Sequence, residues 1–273
     1  MLYIIGTPIG NLSDISKRAV EALSLVDVVF AEDTRTALNL LSALNIKKPC
    51  KSYYKDNEKQ ASKLLLECLL NGDNAALISE AGMPCISDPG TYIVQEVIKN
   101  NIPYEIIQGP TALIHGLIAS GFSGSSFYFH GFLPHKKSEK EKEVEKLTSI
   151  LSPVIFYESP HRVVETINIL LKYFPTPIAV TREATKVYEE TVFIYNEEDI
   201  KNITIKGEFI IVVDNSKKEE INNNDKVSLD YSKIIKELLK DNVSSKDLLK
   251  MMKALGLKRN EAYELINNIQ QNI

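Results

Sequence analysis

Four short apolar runs in the first half of the chain each end in a segment rich in glycine, proline and charged residues. These segments cover residues 6–12, 31–35, 79–90 and 108–112. In an open parallel sheet, the loops at the carboxyl ends of the strands line the ligand crevice. Glycine and proline in such loops bring rigid backbone close to a ligand. The pattern therefore predicts one site, built from four loops, for a nucleotide-like molecule.

The spacing of the apolar runs predicts an α/β fold with a parallel sheet covered on both faces. Strands are expected at 2–5, 26–31, 75–79 and 104–107, and helices at 14–25, 34–44, 59–71, 91–100 and 111–120. After a glycine- and serine-rich stretch the pattern changes to a mixed sheet. Its strands are expected at 127–130, 154–157 and 177–181, with 191–194 and 208–213 as the arms of an antiparallel pair. Helices are expected at 138–151, which is highly charged and reads as exposed, and at 161–173.

These patterns divide the chain into four parts. They are an N-terminal α/β domain (1–120), a second α/β domain (121–215), a polar linker (216–230) and a small helical domain (231–273). The last part resembles a helix-turn-helix unit. Its predicted apolar faces are Leu248, Leu249, Met252 and Leu255 on one helix and Ala262, Leu265, Ile266 and Ile269 on the next, with a turn at 256–259 between them.

Composition narrows the class of protein. The 273 residues include 44% hydrophobic and 25% charged residues, which is ordinary for a globular protein. No signal peptide or membrane-spanning run is visible, and three scattered cysteines form no metal or disulfide spacing, so a cytoplasmic protein is expected. The net charge is −4, but residues 232–273 hold eight basic and five acidic side chains. A basic appendage on an acidic body can touch a polyanion, although a solvated helical surface explains it nearly as well.

The loop at 79–90 is the most specific of the four. Pro84 and Pro89 stiffen it, and Glu80 and Asp88 can accept hydrogen bonds from ribose hydroxyls or an ammonium group. The competing interpretation is that Asp88 only caps the helix that begins near residue 91. The loop at 6–10 is neither a G-x-G-x-x-G motif nor a P-loop, which disfavours NAD and ATP.

Charged residues also gather at the strand ends of the second half. They are Glu158, His161, Arg162, Arg182, Glu183, Lys186 and Glu208. With one histidine and no cysteine, the group fits no metal set, and it matches no Ser-His-Asp triad. His161 is more often structural in such a context. The basic members can hold a phosphate backbone.

Taken together, the motifs resemble the ribosomal RNA small-subunit methyltransferase I family, within the tetrapyrrole methylase (class III) superfamily. The resemblance runs from the first strand to about residue 213 and rests on TPIGNL (7–12), AEDTR (31–35), AGMPCISDPG (81–90), YESPHR (157–162) and KGE (206–208). The tail resembles the C-terminal helical domain of many members. The resemblance implies two α/β domains with S-adenosyl-L-methionine between them, and a homodimer. It also implies 2′-O-methylation of a cytidine ribose in 16S rRNA of the small ribosomal subunit, at the decoding centre, without a metal or a membrane.

Carried over position by position, the resemblance and the loop pattern give a set of expected cofactor-binding residues. These are Pro8, Glu80, Ala81, Gly82, Ile86, Asp88, Thr111, Ala112, Tyr157 and Glu183. The sequence departs mildly from the family pattern. Glu80 stands where Asp is usual, Met83 replaces Thr, Gln108 replaces Pro, and Ala184 replaces Leu. The longer carboxylate at position 80 leaves its role open.

For the reaction, we expect Glu32, Asp33, Arg35, Glu158 and Lys186 to surround the acceptor ribose. Glu158, Lys186 and Asp33 are the expected catalytic residues, with Glu158 or Lys186 as the group that assists proton removal. Arg35, Arg162 and Arg182 are the expected RNA-binding residues. Two alternatives stay open at this point: methylation of a small molecule such as a tetrapyrrole, and a non-enzymatic RNA-binding protein. The tail can equally serve as a dimer or protein contact.

Overall fold

The computed structural model describes residues 1–216, 231–240, 243–254 and 259–270. They form two compact units, one ending at Ser216 and one beginning at Lys217. The predicted linker falls almost wholly outside the described residues, as does most of the predicted turn at 256–259.

The first unit opens with a five-stranded, fully parallel sheet in the order β3-β2-β4-β1-β5. Its strands are β1 (Leu2–Ile5), β2 (Val28–Ala31), β3 (Cys50–Ser52), β4 (Ala75–Ile78) and β5 (Tyr104–Ile107). The helices are α1 (Lys17–Leu25), α2 (Thr34–Ala43), α3 (Glu58–Leu70), α4 (Thr91–Lys99) and α5 (Ala112–Ser120). β2 and β4 are buried along their whole length, as the central strands of a doubly covered sheet must be. The predicted parallel sheet is confirmed.

A second, mixed sheet follows in the same unit, in the order β6-β7-β10-β8-β9. Its strands are β6 (Tyr128–Phe132), β7 (Pro153–Glu158), β8 (Ile178–Arg182), β9 (Glu190–Ile194) and β10 (Phe209–Asp214). The helices are α6 (Lys137–Leu147) and α7 (Val163–Tyr173). β6 pairs parallel with β7, and the other pairings are antiparallel.

Three expectations need correction. β3 is missing from the predicted strands, because it has three residues and no apolar run. The predicted pairing of 191–194 with 208–213 is wrong: β10 lies between β7 and β8, and β9 pairs with β8. The charged helix is not simply exposed, because α6 buries Val144, Leu147 and the whole side chain of Lys140.

Helix α5 packs against the second sheet and joins the two halves of the first unit. Leu113 and Leu117 share a buried cluster with Ile155, Ala179, Ile210 and Val212. At Gly116 a Cβ atom would lie 2.3 Å from Ile210 Cγ2, so the close approach requires glycine. This contact fixes the carboxyl ends of the first sheet against the second sheet, where the candidate site lies.

Among its described residues, the second unit has three short helices, α8 (Tyr231–Lys240), α9 (Ser245–Ala254) and α10 (Arg259–Gln270). Its core consists of Ile235, Leu248, Met252, Ala262, Ile266 and Ile269. Leu249 and Leu265 are partly buried and pack against this core, so the predicted faces are confirmed apart from Leu255, which is not among the described residues. Within the described parts of the chain, no helix has the length and apolar character needed to span a bilayer.

Candidate functional site

A cavity of about 410 Å³ lies between the carboxyl ends of the strands of the first sheet and the part of the second sheet where β7 ends and β10 begins. The four predicted loops and the second sheet contribute to it. Ten of the expected site residues line it: Glu32, Glu80, Ala81, Gly82, Ile86, Asp88, Thr111, Ala112, Tyr157 and Glu158. The volume falls in the usual range for small-molecule sites, roughly 300–1,000 Å³.

The 79–90 loop is held in a conformation that few residues adopt. Thr7 and Gly82 form an isolated antiparallel bridge, with the Thr7 amide donating to the Gly82 carbonyl at 2.8 Å. Cys85 and Ser87 have φ angles of 69° and 68°, in the left-handed region that is costly for side chains with a Cβ atom. Strained loop residues cluster at ligand sites. The loop therefore presents preformed backbone, as its prolines indicated.

Asp88 does not cap α4, so the competing interpretation of this residue is wrong. The N-cap of α4 is Gly90, two residues after Asp88. Asp88 instead faces Glu32 and Glu80. Burial, followed by repulsion from these two carboxylates, raises the pKa of Asp88 to about 6. Burial and Glu80 also raise the pKa of Glu32. The cavity therefore holds excess negative charge, which a cationic ligand would relieve.

Glycine lets the loops after β1 and β5 touch through their backbones. A Cβ atom on Gly6 would lie 2.5 Å from the Gly109 amide nitrogen, and one on Gly109 would lie 2.7 Å from the Gly6 carbonyl carbon. Pro8 follows in this loop but does not line the cavity, whereas the neighbouring Ile9 does.

Tyr157, on β7, connects the second sheet to α5, the helix that follows the loop after β5. Its hydroxyl accepts a 3.0 Å hydrogen bond from the Leu113 amide near the start of the helix. Burial raises the pKa of Tyr157 to about 12, so it is a neutral phenol in the physiological range. Tyr157 lines the cavity from the side of the second sheet.

Glu158 ends β7 inside a buried polar network. Its Oε1 accepts from the Ser159 amide at 2.9 Å, and its Oε2 accepts from Thr166 Oγ1 at 2.7 Å. Lys140 Nζ donates to Thr166 Oγ1 at 3.1 Å and to Glu165 Oε1 at 2.6 Å. Arg162 Nε lies 3.2 Å from Glu158 Oε1 and forms an ion pair with this carboxylate. The carboxylate is therefore fixed in position, with its side chain only 1% exposed.

Lys186 lies in the loop after β8 and is bound by two carboxylates. Its Nζ donates to Glu183 Oε1 at 2.9 Å and to Glu208 Oε2 at 3.1 Å. Burial opposes the charged form, but the hydrogen bonds to Glu183 and Glu208 outweigh it and raise the pKa of Lys186. Lys186 is therefore a cation near neutral pH, suited to attract an anion and unsuited to accept a proton.

Several expected residues do not line the cavity, and these include Glu183 and Lys186, although their neighbour Ala184 does line it. Asp33 caps α2 by accepting from the Arg35 amide at 2.7 Å, and the Arg35 side chain is 89% exposed. Arg162 donates to the Leu133 and Pro134 carbonyls, and Arg182 donates to Glu190 Oε2. Arg35 is thus the one of the three predicted RNA-binding arginines that projects mainly into solvent. His161 is exposed and also lies outside the cavity lining.

Other residues that line the cavity were not predicted from the sequence. They include Phe132, Ser159, Pro160, Phe209 and Ile210. Phe132 gave no signal because it lies beyond the predicted end of its strand. Ser159 and Pro160 belong to the quoted YESPHR segment, so the motif could have identified them.

The buried network makes a testable prediction about stability. Glu165→Gln leaves the fully buried Lys140 ammonium without its ion-pair partner. Breaking a fully buried ion pair typically costs about 3–5 kcal/mol. Because Glu165 is 45% exposed and solvent screens the pair, we expect a smaller loss of about 1–3 kcal/mol in the free energy of unfolding. The double variant Lys140→Met/Glu165→Gln should recover most of it, since an apolar side chain then fills the site. Urea unfolding measures both, and an unchanged midpoint for Glu165→Gln would contradict the interpretation.

Sequence comparisons agree with the motifs. The profile of the family described as Tetrapyrrole (Corrin/Porphyrin) Methylases matches residues 1–201. The chain is 41% identical over 225 residues to the ribosomal RNA small subunit methyltransferase I of Bacillus subtilis, covering 81% of this chain and 77% of that protein. It is 36% identical over 276 residues to the protein of the same name in Haemophilus influenzae, covering 97% and 95% of the two chains.

Solved structures share the fold at low identity. A diphthine synthase has a TM-score of 0.65 at 16% identity, covering 78% of this chain and 89% of its own. A uroporphyrin-III C-methyltransferase from Thermus thermophilus, complexed with S-adenosyl homocysteine, has a TM-score of 0.55 at 17% identity, with coverages of 80% and 98%. The two-sheet architecture, the profile match and the identities over most of the chain lead to one conclusion: this chain belongs to the tetrapyrrole methylases, and within them to the ribosomal RNA small subunit methyltransferase I family.

Proposed function

We propose that this protein uses S-adenosyl-L-methionine to methylate the 2′-oxygen of a cytidine ribose in 16S rRNA, at the decoding centre of the small ribosomal subunit. The observation that supports it most is the cavity, which presents preformed backbone and carboxylates in a chain that is 36–41% identical to proteins named as ribosomal RNA small subunit methyltransferases.

The residues present fit this cofactor. Small side chains (Ala81, Gly82, Ala112 and Ala184) leave room for a ligand, and apolar ones (Ile9, Ile86 and Phe209) suit its adenine ring. Glu32, Glu80 and Asp88 supply hydrogen-bond acceptors and negative charge for its hydroxyls and cationic groups. When bound, S-adenosyl-L-methionine supplies a methyl group activated by a sulfonium.

The side chains of the protein orient the acceptor ribose and assist the removal of the proton from its hydroxyl group. A ribose hydroxyl is a weak acid, so a positioned base or cation can accelerate the step by roughly 10²–10⁴-fold. Glu158 is fixed by two hydrogen bonds and can accept a further one. The Lys186 cation can stabilise a developing alkoxide. Arg35, with its exposed side chain, can bind an RNA phosphate.

We propose in addition that the protein acts as a homodimer. Beside the cavity runs a groove of about 830 Å³ whose walls include Ile106, Ile114 and Ile118. These three side chains are 50%, 40% and 74% exposed, on the edge strand β5 and on α5. Exposed apolar surface of this kind favours protein association. Ile118→Lys should therefore shift sedimentation from dimer to monomer, and unchanged sedimentation would argue against this surface.

The basic tail is proposed to contact RNA. Deleting residues 232–273 removes eight basic and five acidic side chains, so we expect the Michaelis constant for the RNA substrate to rise and its dependence on salt to weaken. Cofactor affinity should stay unchanged, because the cavity lies wholly within the first unit. An unchanged Michaelis constant for RNA would instead favour a protein contact.

The deciding experiment is transfer of labelled methyl groups to small ribosomal subunits that lack their native modifications, followed by nuclease mapping. Label on a cytidine ribose supports the substrate, reaction and cofactor together. Cofactor binding by calorimetry without labelling of RNA would favour a small-molecule acceptor such as a tetrapyrrole. Absence of cofactor binding would favour a non-enzymatic RNA-binding protein.

A further inference from the structure

Strand β6 contains an irregularity beside the cavity. Its pairing with β7 runs Phe129 to Ile155 and then Gly131 to Phe156, so His130 is an extra residue without a partner in the register. Gly131 has a φ of 78°, in the region that favours glycine. This is a β-bulge, a feature that bends a strand and redirects the side chains after it.

The bulge changes the direction of Phe132. In a regular strand, side chains three residues apart point to opposite faces of the sheet. Here Phe129 and Phe132 both contact Tyr157, with ring centroids 4.9 Å and 5.8 Å away and interplanar angles of 65° in both cases. Such edge-to-face contacts are favourable and fix the orientation of the rings.

The two phenylalanines differ in exposure. Phe129 is half-buried in the cluster beneath α5, whereas Phe132 lines the cavity and is 57% exposed. Phe132 therefore lies at the opening of the cavity with much of its ring uncovered. An aromatic ring that is held in place and yet exposed at a site opening is a stacking surface for a planar ligand.

We propose that Phe132 stacks on the base of the acceptor nucleotide and so brings its ribose to the cavity. This inference rests on the proposed function, since it assigns a binding residue for the RNA in that reaction. The ring's exposure favours the RNA base over the cofactor's adenine, because a ring that packs on a ligand inside the cavity would be buried within its walls. Enzymes that act on a nucleotide within folded RNA commonly separate it from its neighbours and stack its base on an aromatic side chain.

The test compares Phe132→Leu, Phe132→Tyr and Phe132→Trp with the wild-type protein on unmodified small subunits. Leucine keeps an apolar side chain without a π face, so the Michaelis constant for RNA should rise by roughly 5- to 150-fold. Tyrosine and tryptophan should stay within about threefold of wild type, since both retain a stacking face. The dissociation constant of S-adenosyl-L-methionine, measured by calorimetry, should not change in any variant.

The matched control is Phe193→Leu, another partly exposed phenylalanine of the second sheet, on β9 and outside the cavity lining. It should behave like wild type. An unchanged Michaelis constant for Phe132→Leu, with methylation of RNA intact in the wild type, would overturn the inference and leave the proposed function standing. Weaker cofactor binding with unchanged RNA binding would also overturn it, in favour of adenine. No methylation of RNA by the wild type would overturn both.

Discussion

Glu158→Gln is expected to lower the single-turnover rate of methyl transfer to RNA by about 10²-fold or more. Glutamine keeps the shape of the side chain and can still accept from Thr166, but it loses the negative charge and the basicity. Because the carboxylate is held by the Ser159 amide and the Thr166 hydroxyl, the loss should fall on the rate of the bound complex rather than on cofactor affinity. Rapid-quench measurement at saturating cofactor and RNA separates these quantities.

Two further variants separate the effect of the Glu158 charge from that of its orientation and provide a control. Thr166→Val removes one hydrogen bond that orients the carboxylate while leaving its charge, so its loss of rate should be smaller. Glu141→Gln is the matched control, since Glu141 forms only a surface pair with Lys172 at 3.6 Å. It should leave the rate unchanged.

Lys186→Met tests the other proposed catalytic group. If Lys186 stabilises developing negative charge, its loss should also lower the single-turnover rate, and raising the pH from 7 to 9 should not mimic it, because the pKa of Lys186 is raised. Near-full single-turnover rates in both Glu158→Gln and Lys186→Met would show that the assignment of these two residues is wrong.

The features of the fold and site that could be predicted are those determined by residues close together in the sequence. Glycine and proline reveal loops because their backbone preferences act within a few residues, and Gly82, Pro84 and Gly90 identified the loop that lines the cavity. The parallel sheet could be predicted for a similar reason, since fully buried strands such as β4 appear as short apolar runs.

The parts that could not be predicted depend on contacts distant in sequence. Nothing near Lys140 indicates burial, because its partners Glu165 and Thr166 are on another helix. The position of β10 between β7 and β8 is likewise a choice among pairings that the strand's own residues do not specify. The bulge at Gly131 had no clear signal either, since a lone glycine in a strand fits several conformations.

The second large expected effect is a dependence of cofactor affinity on the ionisation of Asp88. The pKa of this carboxyl is raised to about 6, first by burial and then by Glu32 and Glu80. A cationic ligand favours the ionised form, so S-adenosyl-L-methionine should bind more tightly as the pH rises from 5 to 7.5. S-adenosyl homocysteine lacks the sulfonium charge and should show a weaker dependence. Titration calorimetry across this range measures both.

Asp88→Asn should flatten the pH dependence for S-adenosyl-L-methionine and weaken its binding at pH 7.5 by about tenfold, or roughly 1.4 kcal/mol. Asp56→Asn, a substitution of an exposed aspartate in the turn before α3, is the matched control and should change neither quantity. A dissociation constant that is independent of pH in the wild type, or equal in wild type and Asp88→Asn, would contradict a cationic ligand held by this cluster.

The same carboxyl should affect stability in the opposite direction when no cofactor is bound. In the unfolded chain an aspartate titrates near its ordinary pKa of about 3.9. Between that value and about 6 the folded protein binds more protons than the unfolded chain, so Asp88 makes the free energy of unfolding fall as the pH rises through this window. Asp88→Asn should therefore unfold at a higher temperature than wild type at pH 7.5 and lose that advantage near pH 4. Saturating S-adenosyl-L-methionine should narrow the difference between the two proteins at pH 7.5 by roughly 1.4 kcal/mol, the equivalent of the tenfold weaker binding by Asp88→Asn, because the carboxylates that repel one another in the cofactor-free protein then attract the cation.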